Sequence, residues 1–74
     1  MQVEIQVYGE LGGLEGRAMC KEVNPGTTLA DIAQQLHIPL EEVGFIVVDG
    51  RVRSPDYQVM EGQRVCFFPP VMGG

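Results

Sequence analysis

The chain has 74 residues, ten of them acidic and five basic, which gives a net charge of -5 at pH 7. A chain this short forms one domain, and its 45% hydrophobic share is typical of a folded globular protein. The few basic residues are scattered along the sequence, and phosphate backbones would be repelled, so we expect no nucleic-acid binding. The acidic charge suits a protein partner with a basic docking face.

Two cysteines and one histidine cannot supply the four ligands of a structural zinc or iron-sulfur site. We expect the thiols of Cys20 and Cys66 to be reduced and buried as small apolar groups. The first residues lack the features of a secretory signal, and no apolar run approaches the roughly 18 residues of a membrane span. The sequence therefore predicts a cytoplasmic protein without a membrane partner.

The first third of the chain predicts a β-hairpin. Val3, Ile5 and Val7 alternate with polar residues, which is the pattern of a half-buried strand. The glycine-rich residues 9–16 predict a reversing loop, because the Gly-Lys-Ser/Thr ending of a phosphate-binding loop is missing. A weaker strand is predicted over residues 17–23, and the Asn-Pro-Gly sequence at 24–26 favours a turn after it.

A single amphipathic helix follows the predicted hairpin. Thr28 is placed to cap its first turn, and Asp31 occupies the matching position of a capping box. Apolar side chains recur at helical spacing at Leu29, Ile32, Ala33 and Leu36. Pro39 stops the helix, so His37 is predicted to be a helix-end residue.

The second half of the chain predicts a short turn over residues 39–43 and strands over 45–48, 51–53 and 63–68. Asp49 and Gly50 are typical of a tight hairpin between the first two of these strands. The order predicts an α+β fold with a mixed sheet of four to five strands and one helix on one face. The ubiquitin-like β-grasp is the simplest such fold, and in it the last strand lies centrally beside the first. We therefore expect a β-grasp domain over residues 1–68 and a flexible tail over residues 69–74.

The tail has the features of an extended arm. Pro69 and Pro70 cannot donate to a sheet and favour a stiff, extended backbone, so residues 69–74 can reach roughly 20 Å. A Gly-Gly ending arises by chance in roughly 0.5% of chains at average glycine usage. Because Gly73 and Gly74 have no side chains, a narrow channel of a partner could close around their backbone. A frayed terminus without a function is the structural alternative.

Residues 67–74 read Phe-Phe-Pro-Pro-Val-Met-Gly-Gly. This segment resembles the C-terminal signature of the small subunit of molybdopterin synthase, Phe-Phe-Pro-Pro-Val-x-Gly-Gly, within the family of ubiquitin-like sulfur carriers. Residues 61–65 are similar to the family's approach to its last strand, and residues 48–50 to its hairpin. Residues 8–13 lack the Arg-Glu pair commonly found there in the molybdopterin branch.

The resemblance implies a sulfur carrier that is not an enzyme on its own. A ubiquitin-activating-like adenylyltransferase would use ATP to adenylate Gly74, and a sulfur donor such as a cysteine desulfurase system would convert the adenylate to a thiocarboxylate. The large subunit of molybdopterin synthase would then take the sulfur for the molybdenum or tungsten cofactor. No cofactor bound to the chain itself is implied. Alternatives are a carrier for thiamine or transfer-RNA thiolation, a ubiquitin-like protein modifier and a non-covalent interaction module.

The partner is expected to bind the end of the last strand together with the tail. If Val65 and Phe67 face the helix, Cys66 and Phe68 face away from it, because side chains alternate along a strand. Phe68 would then anchor the partner beside an apolar extension, unless it packs on its own sheet and only stabilises the fold. The predicted site comprises the reactive end Gly74 and the partner-binding residues Phe68, Pro69, Pro70, Val71, Met72 and Gly73.

Overall fold

A computed structural model of the chain describes residues 1–13 and 16–70. Five strands and one α-helix make up the fold, together with 3₁₀ turns at Leu11–Gly13 and Leu40–Glu42. The elements are β1 (Gln2–Val7), β2 (Ala18–Glu22), α1 (Leu29–Gln35), β3 (Phe45–Val48), β4 (Arg51–Arg53) and β5 (Arg64–Phe68). The predicted tail residues Val71, Met72, Gly73 and Gly74 lie outside the described residues.

The sheet has the order β2-β1-β5-β3-β4, so the last strand of the chain lies at its centre. Strand β5 pairs in parallel with β1, where Val7 lies opposite Phe67, and antiparallel with β3, where Ile46 lies opposite Phe67. The two hairpins, β1–β2 and β3–β4, flank it as antiparallel pairs. This is the predicted ubiquitin-like β-grasp, with five strands and the last strand beside the first.

Helix α1 begins with the predicted capping box. The hydroxyl oxygen of Thr28 accepts a hydrogen bond from the Asp31 N–H at 3.1 Å, and the Asp31 carboxylate accepts one from the Thr28 N–H at 3.0 Å. These bonds satisfy two backbone donors that the first turn leaves without partners. The helix ends in a left-handed residue, His37, whose φ is 59°. Within the described residues no helix is long and apolar enough to cross a membrane.

The core lies between α1 and one face of the sheet. Every second residue of β1 and β5 is buried on this side, and the helix contributes Leu29, Ile32 and Ala33. Loops complete the core with Leu11, which lies in the first 3₁₀ turn, and with Val59. The glycine-rich segment is therefore tied to the core at Leu11, which the loop prediction did not anticipate. The opposite face of the sheet, which we call the open face, carries the remaining side chains of the strands.

The open sheet face and the tail exit as candidate functional site

Three aromatic rings stack where β5 ends. The Phe68 ring lies between those of Tyr8 and Phe45, with ring centroids 4.6 Å apart in both pairs and planes only 7° and 11° from parallel. Phe45 is the register partner of Phe68, and the Tyr8 N–H donates a 2.9 Å hydrogen bond to the carbonyl of Phe67. The ring separation matches the spacing between neighbouring strands, so strand pairing itself brings the rings into contact. We call these three residues the aromatic stack.

The predicted orientation of β5 is confirmed. Val65 and Phe67 are completely buried on the helix side, whereas Cys66 and Phe68 are half-buried on the open face. Phe68 does pack on its own sheet, as the structural alternative proposed, because a ring covers each of its two faces. Its binding to a partner stays a prediction.

The open face divides into an apolar and a polar half. Below the aromatic stack, Cys66 pairs with Val47, and Val47 pairs with Val52, whose exposed fraction of 67% is high for an apolar residue. On the other side of β5, Glu4 lies opposite Arg64 and opposite the edge-strand residue Cys20. The apolar half thus extends to the C-terminal end of the central strand β5, whereas the polar half borders edge strand β2.

The expected burial of the cysteines is wrong. Cys20 is exposed and Cys66 is half-buried, and both are free thiols. Both occupy even-numbered strand positions, and the helix covers only the odd-numbered positions of β1 and β5. Cysteine is usually among the most buried residue types, but here the two-residue period of the strands decides its placement.

The chain leaves the sheet between two glycines. The Gly44 N–H donates a 2.8 Å hydrogen bond to the carbonyl of Phe68, the last residue of β5, and so holds the end of that strand. Pro69 then passes between Gly9, which faces its ring, and Gly44, which faces its backbone. We call the segment Pro69 and Pro70 the tail exit. Three exposed carboxylates rim a groove beside it, those of Glu10, Glu41 and Glu42.

The structure therefore brings Phe68, Pro69 and Pro70 to one end of the sheet, while the remaining predicted site residues lie outside the described part. Sequence reasoning missed the roles of Tyr8, Phe45 and Gly44. Tyr8 could have been found, because it continues the alternation of β1 toward the open face. The residues next to Gly44 in the sequence do not indicate its role, because the atoms around it belong to Pro69 and Pro70, about 25 residues later.

A family model described as Mut7-C ubiquitin matches residues 2–72, which is nearly the whole chain. The chain belongs to the Mut7-C ubiquitin family. The match agrees with the β-grasp topology and extends past the tail exit. A comparison with curated proteins finds no match.

Several solved structures share the fold of this Mut7-C ubiquitin family member. SAMP1 from Haloferax volcanii superposes with a TM-score of 0.74 at 20% identity, with both chains covered completely. A putative molybdopterin converting factor subunit 1 from Pyrococcus furiosus gives 0.71 at 24% identity, covering 96% of this chain and 99% of that one. A complex of subunits 1 and 2 of the molybdopterin-converting factor from Helicobacter pylori gives 0.66 at 21% identity, with both chains covered completely. These likenesses establish the ubiquitin-like fold.

Proposed function

We propose that this chain is a sulfur carrier whose terminal residue, Gly74, is adenylated and then converted to a thiocarboxylate. One observation carries the proposal. The central strand β5 ends at the aromatic stack, and the chain continues from it directly into Pro69 and Pro70. A stiff segment that starts from the most firmly paired strand gives a Gly-Gly end a fixed base. The match of the Phe-Phe-Pro-Pro-Val-Met-Gly-Gly ending to the sulfur-carrier signature supports the same function.

The chemistry explains why activation comes first. A free carboxylate is a poor electrophile, so a ubiquitin-activating-like adenylyltransferase joins the Gly74 carboxylate to AMP from ATP and releases pyrophosphate. A sulfur donor, such as a cysteine desulfurase system, holds the sulfur as a persulfide, and a second thiol, which is oxidised to a disulfide, brings it to the oxidation level of sulfide. This sulfur bonds to the acyl carbon, and AMP leaves with the electron pair of the broken C–O bond. The product is a nucleophilic thiocarboxylate on a tether.

The partner surface in this proposal is the apolar half of the open face together with the tail. In this proposal the partner contacts the exposed edge of the Phe68 ring, whose two faces are covered by the stack. Tyr8, whose exposed fraction is 38%, adds accessible ring surface beside it. Val47 and Val52 continue the apolar area away from the tail exit. Aromatic side chains of this kind dominate the energetics of many protein interfaces. The tail residues Val71, Met72 and Gly73 would contact the channel that receives Gly74.

We further propose that the sulfur is used to form molybdopterin and that the acceptor is a molybdopterin synthase large subunit. The neighbours from P. furiosus and H. pylori support this, because they are named molybdopterin converting factor subunits and the H. pylori protein is in a complex with its second subunit. Sulfur carriage for thiamine or transfer-RNA thiolation would use the same chemistry at Gly74.

A ubiquitin-like protein modifier is the second candidate. One structural neighbour from H. volcanii is named small archaeal modifier protein 1, and it gives a TM-score of 0.72 over 95% of this chain. In this function the activated Gly74 would form an amide with a lysine amine of a target protein. Affinity purification after co-expression separates the two candidates, because a modifier leaves residues 65–74 on target lysines after tryptic digestion, which cuts after Arg64, the last basic residue, and a carrier leaves no such branch.

Intact-mass spectrometry after co-expression with the adenylyltransferase and sulfur donor of the source organism tests the primary proposal. We expect one oxygen of the chain to be replaced by sulfur. Oxidation of one of the four methionines adds nearly the same mass, so fragmentation must place the change at Gly74. Deleting Gly74, or adding one residue after it, should abolish the change. Persistence of the sulfur in either variant would contradict the proposal.

A Cys20→Ala/Cys66→Ala variant provides the matched control. Neither thiol takes part in the proposed chemistry, so this variant should still acquire sulfur. Without cysteines, the thiocarboxylate would be the site on the chain that reacts with iodoacetamide under mild conditions. A folded Cys66→Ala chain that cannot be loaded would instead indicate that this thiol relays sulfur to the tail.

A further inference from the structure

Gly44 is a glycine for a reason that differs from that of most glycines whose surroundings the structure describes. Its φ lies outside the left-handed region, so its backbone conformation is open to any residue. Five other glycines have positive φ angles and no atom within 4 Å of a built Cβ. Their conformation therefore explains them: Gly13, Gly16, Gly26, Gly50 and Gly62. At position 44 the space, and not the dihedral angle, requires the absence of a side chain.

The space at position 44 is filled by the tail exit. A Cβ built there would lie 2.6 Å from the Cα of Pro70 and 2.7 Å from the carbonyl carbon of Pro69, with the Pro69 oxygen nearer still. These atoms are all backbone, so no change of side-chain rotamer can relieve the contact. An alanine at this position must push the chain away from the sheet at the point where it leaves the domain.

Gly9 closes the opposite side of the same segment. A Cβ at position 9 would lie 2.8 Å from Cγ of Pro69, and the residue also has a φ of 70°, which favours glycine. Phe68, the residue before the tail, is held as well, because its carbonyl accepts a 2.8 Å hydrogen bond from the Gly44 N–H. Among the glycines with described surroundings, Gly9 and Gly44 have close contacts, and both face Pro69.

We propose that Gly9 and Gly44 form a clamp that sets the direction in which the tail leaves the domain. They are positioning residues, because they act on Gly74 through Pro69 and Pro70. A fixed exit direction reduces the number of orientations that the chain must search before its end enters a partner's active site. The geometric part of the proposal stands alone, and its effect on activation rests on the proposed function.

Nuclear magnetic resonance of the wild-type, isotope-labelled chain tests the geometric part without any partner. We expect a nuclear Overhauser effect between the Hα protons of Gly44 and the Hα proton of Pro70. In Gly44→Ala the resonances of Pro70 and the residues after it should shift, while those of α1 stay in place. Gly62→Ala is the matched control, because its φ of 80° makes alanine strained without any contact to the tail. The proposal would be overturned if the wild-type chain lacked the nuclear Overhauser effect between Gly44 and Pro70. It would also be overturned if Gly44→Ala unfolded while Gly62→Ala stayed folded.

Adenylation kinetics test the functional part, with pyrophosphate release measured for the adenylyltransferase of the source organism. We expect Gly44→Ala to lower kcat by about 10- to 100-fold, the scale on which small misplacements act, with little change in KM because the open face is unaltered. Gly62→Ala should react like the wild type. Equal kcat values for Gly44→Ala and wild type would overturn the positioning role while leaving the sulfur-carrier function intact. Failure of the wild-type chain to react would count against the proposed function and leave the resonance test to decide on the clamp.

Discussion

The two faces of β5 differ in what covers them. On the helix side, Val65 and Phe67 are completely buried, whereas on the open face Cys66 and Phe68 are only half-buried. Helix α1 closes the first face, and the second face is partly covered by neighbouring side chains of the same sheet. One strand of five residues thus holds the fold together on one side and offers an apolar surface on the other. Replacing adjacent residues of β5 therefore tests the two faces one at a time.

Replacement of Phe67 tests the buried face and should have the largest effect. Phe67→Ala leaves a cavity in a close-packed core, so we expect the free energy of unfolding to fall by about 3–5 kcal/mol. Phe68→Ala is the matched variant on the other face, where the loss of two stacked ring pairs should cost about 1–3 kcal/mol. Urea unfolding followed by circular dichroism measures both. If Phe68→Ala lost more unfolding free energy than Phe67→Ala, the buried face would not be the one that stabilises the fold.

Replacement of Phe68 also tests the open face as a docking surface. A Phe68 that only anchored a partner could be replaced by alanine with thermal melting nearly unchanged, but the aromatic stack predicts a measurable loss of stability. We still expect binding to the adenylyltransferase or the sulfur acceptor to weaken by about 2 kcal/mol, or roughly 30-fold in Kd. Tyr8→Ala should weaken binding less, because Tyr8 is not followed by the tail. Titration calorimetry on folded variants would contradict the anchor if Phe68→Ala binds like the wild type.

A stabilising change that lies outside the open face and the tail exit tests whether stability can change without a change in partner affinity. His37 follows α1 with a φ of 59°, and its N–H donates to the carbonyl of Gln34 at 3.1 Å. A left-handed conformation costs a residue with a Cβ about 1 kcal/mol, so His37→Gly should raise the unfolding free energy by up to that amount. Differential scanning calorimetry measures the gain, and His37→Ala is the control that keeps the penalty. Partner affinity should not change, since His37 lies outside the open face and the tail exit.

The smallest effect is expected from the carboxylates beside the tail exit. Neutralising two of them in Glu41→Gln/Glu42→Gln should slow association with a basic partner a few-fold at low salt. The difference should disappear near molar salt, where charges more than about 3 Å apart are screened. Stopped-flow association rates at two salt concentrations measure it, with Glu22→Gln/Glu61→Gln as a control that removes two carboxylates beside Gln2, at the end of β1 that lies away from the tail exit. A salt-independent difference would indicate a contact other than long-range charge attraction.

Local sequence rules predicted most of the fold. The alternation of β1, the capping box at Thr28 and Asp31 and the Asp49–Gly50 turn each act over a few residues, and the structure contains all three. The central position of β5 followed from the order of the elements, and the alternation of its side chains followed from the strand period, whereas the structure decides which pair faces the helix.

The site was harder to predict because its contacts join distant parts of the chain. Tyr8 and Phe45 meet on Phe68 only through strand pairing, and Gly44 meets Pro69 only after β3 has paired with β5. The burial of Leu11 likewise has no periodic signal within its glycine-rich loop. The usual burial of cysteine mispredicts Cys20 and Cys66, because the two-residue period of their strands turns both away from the helix.

The parallel pairing of β1 with β5 separates the beginning of the first strand from the end of the last. Glu4 lies opposite Arg64 at one end of the pair, and Val7 lies opposite Phe67 at the other, beside the tail exit. A polypeptide joined ahead of Met1 would therefore emerge from the pole of the domain opposite to the tail exit. An affinity tag, a fluorescent protein or an entire enzyme can be attached there while the tail exit stays accessible. The same geometry makes the domain suitable as the C-terminal module of a longer chain.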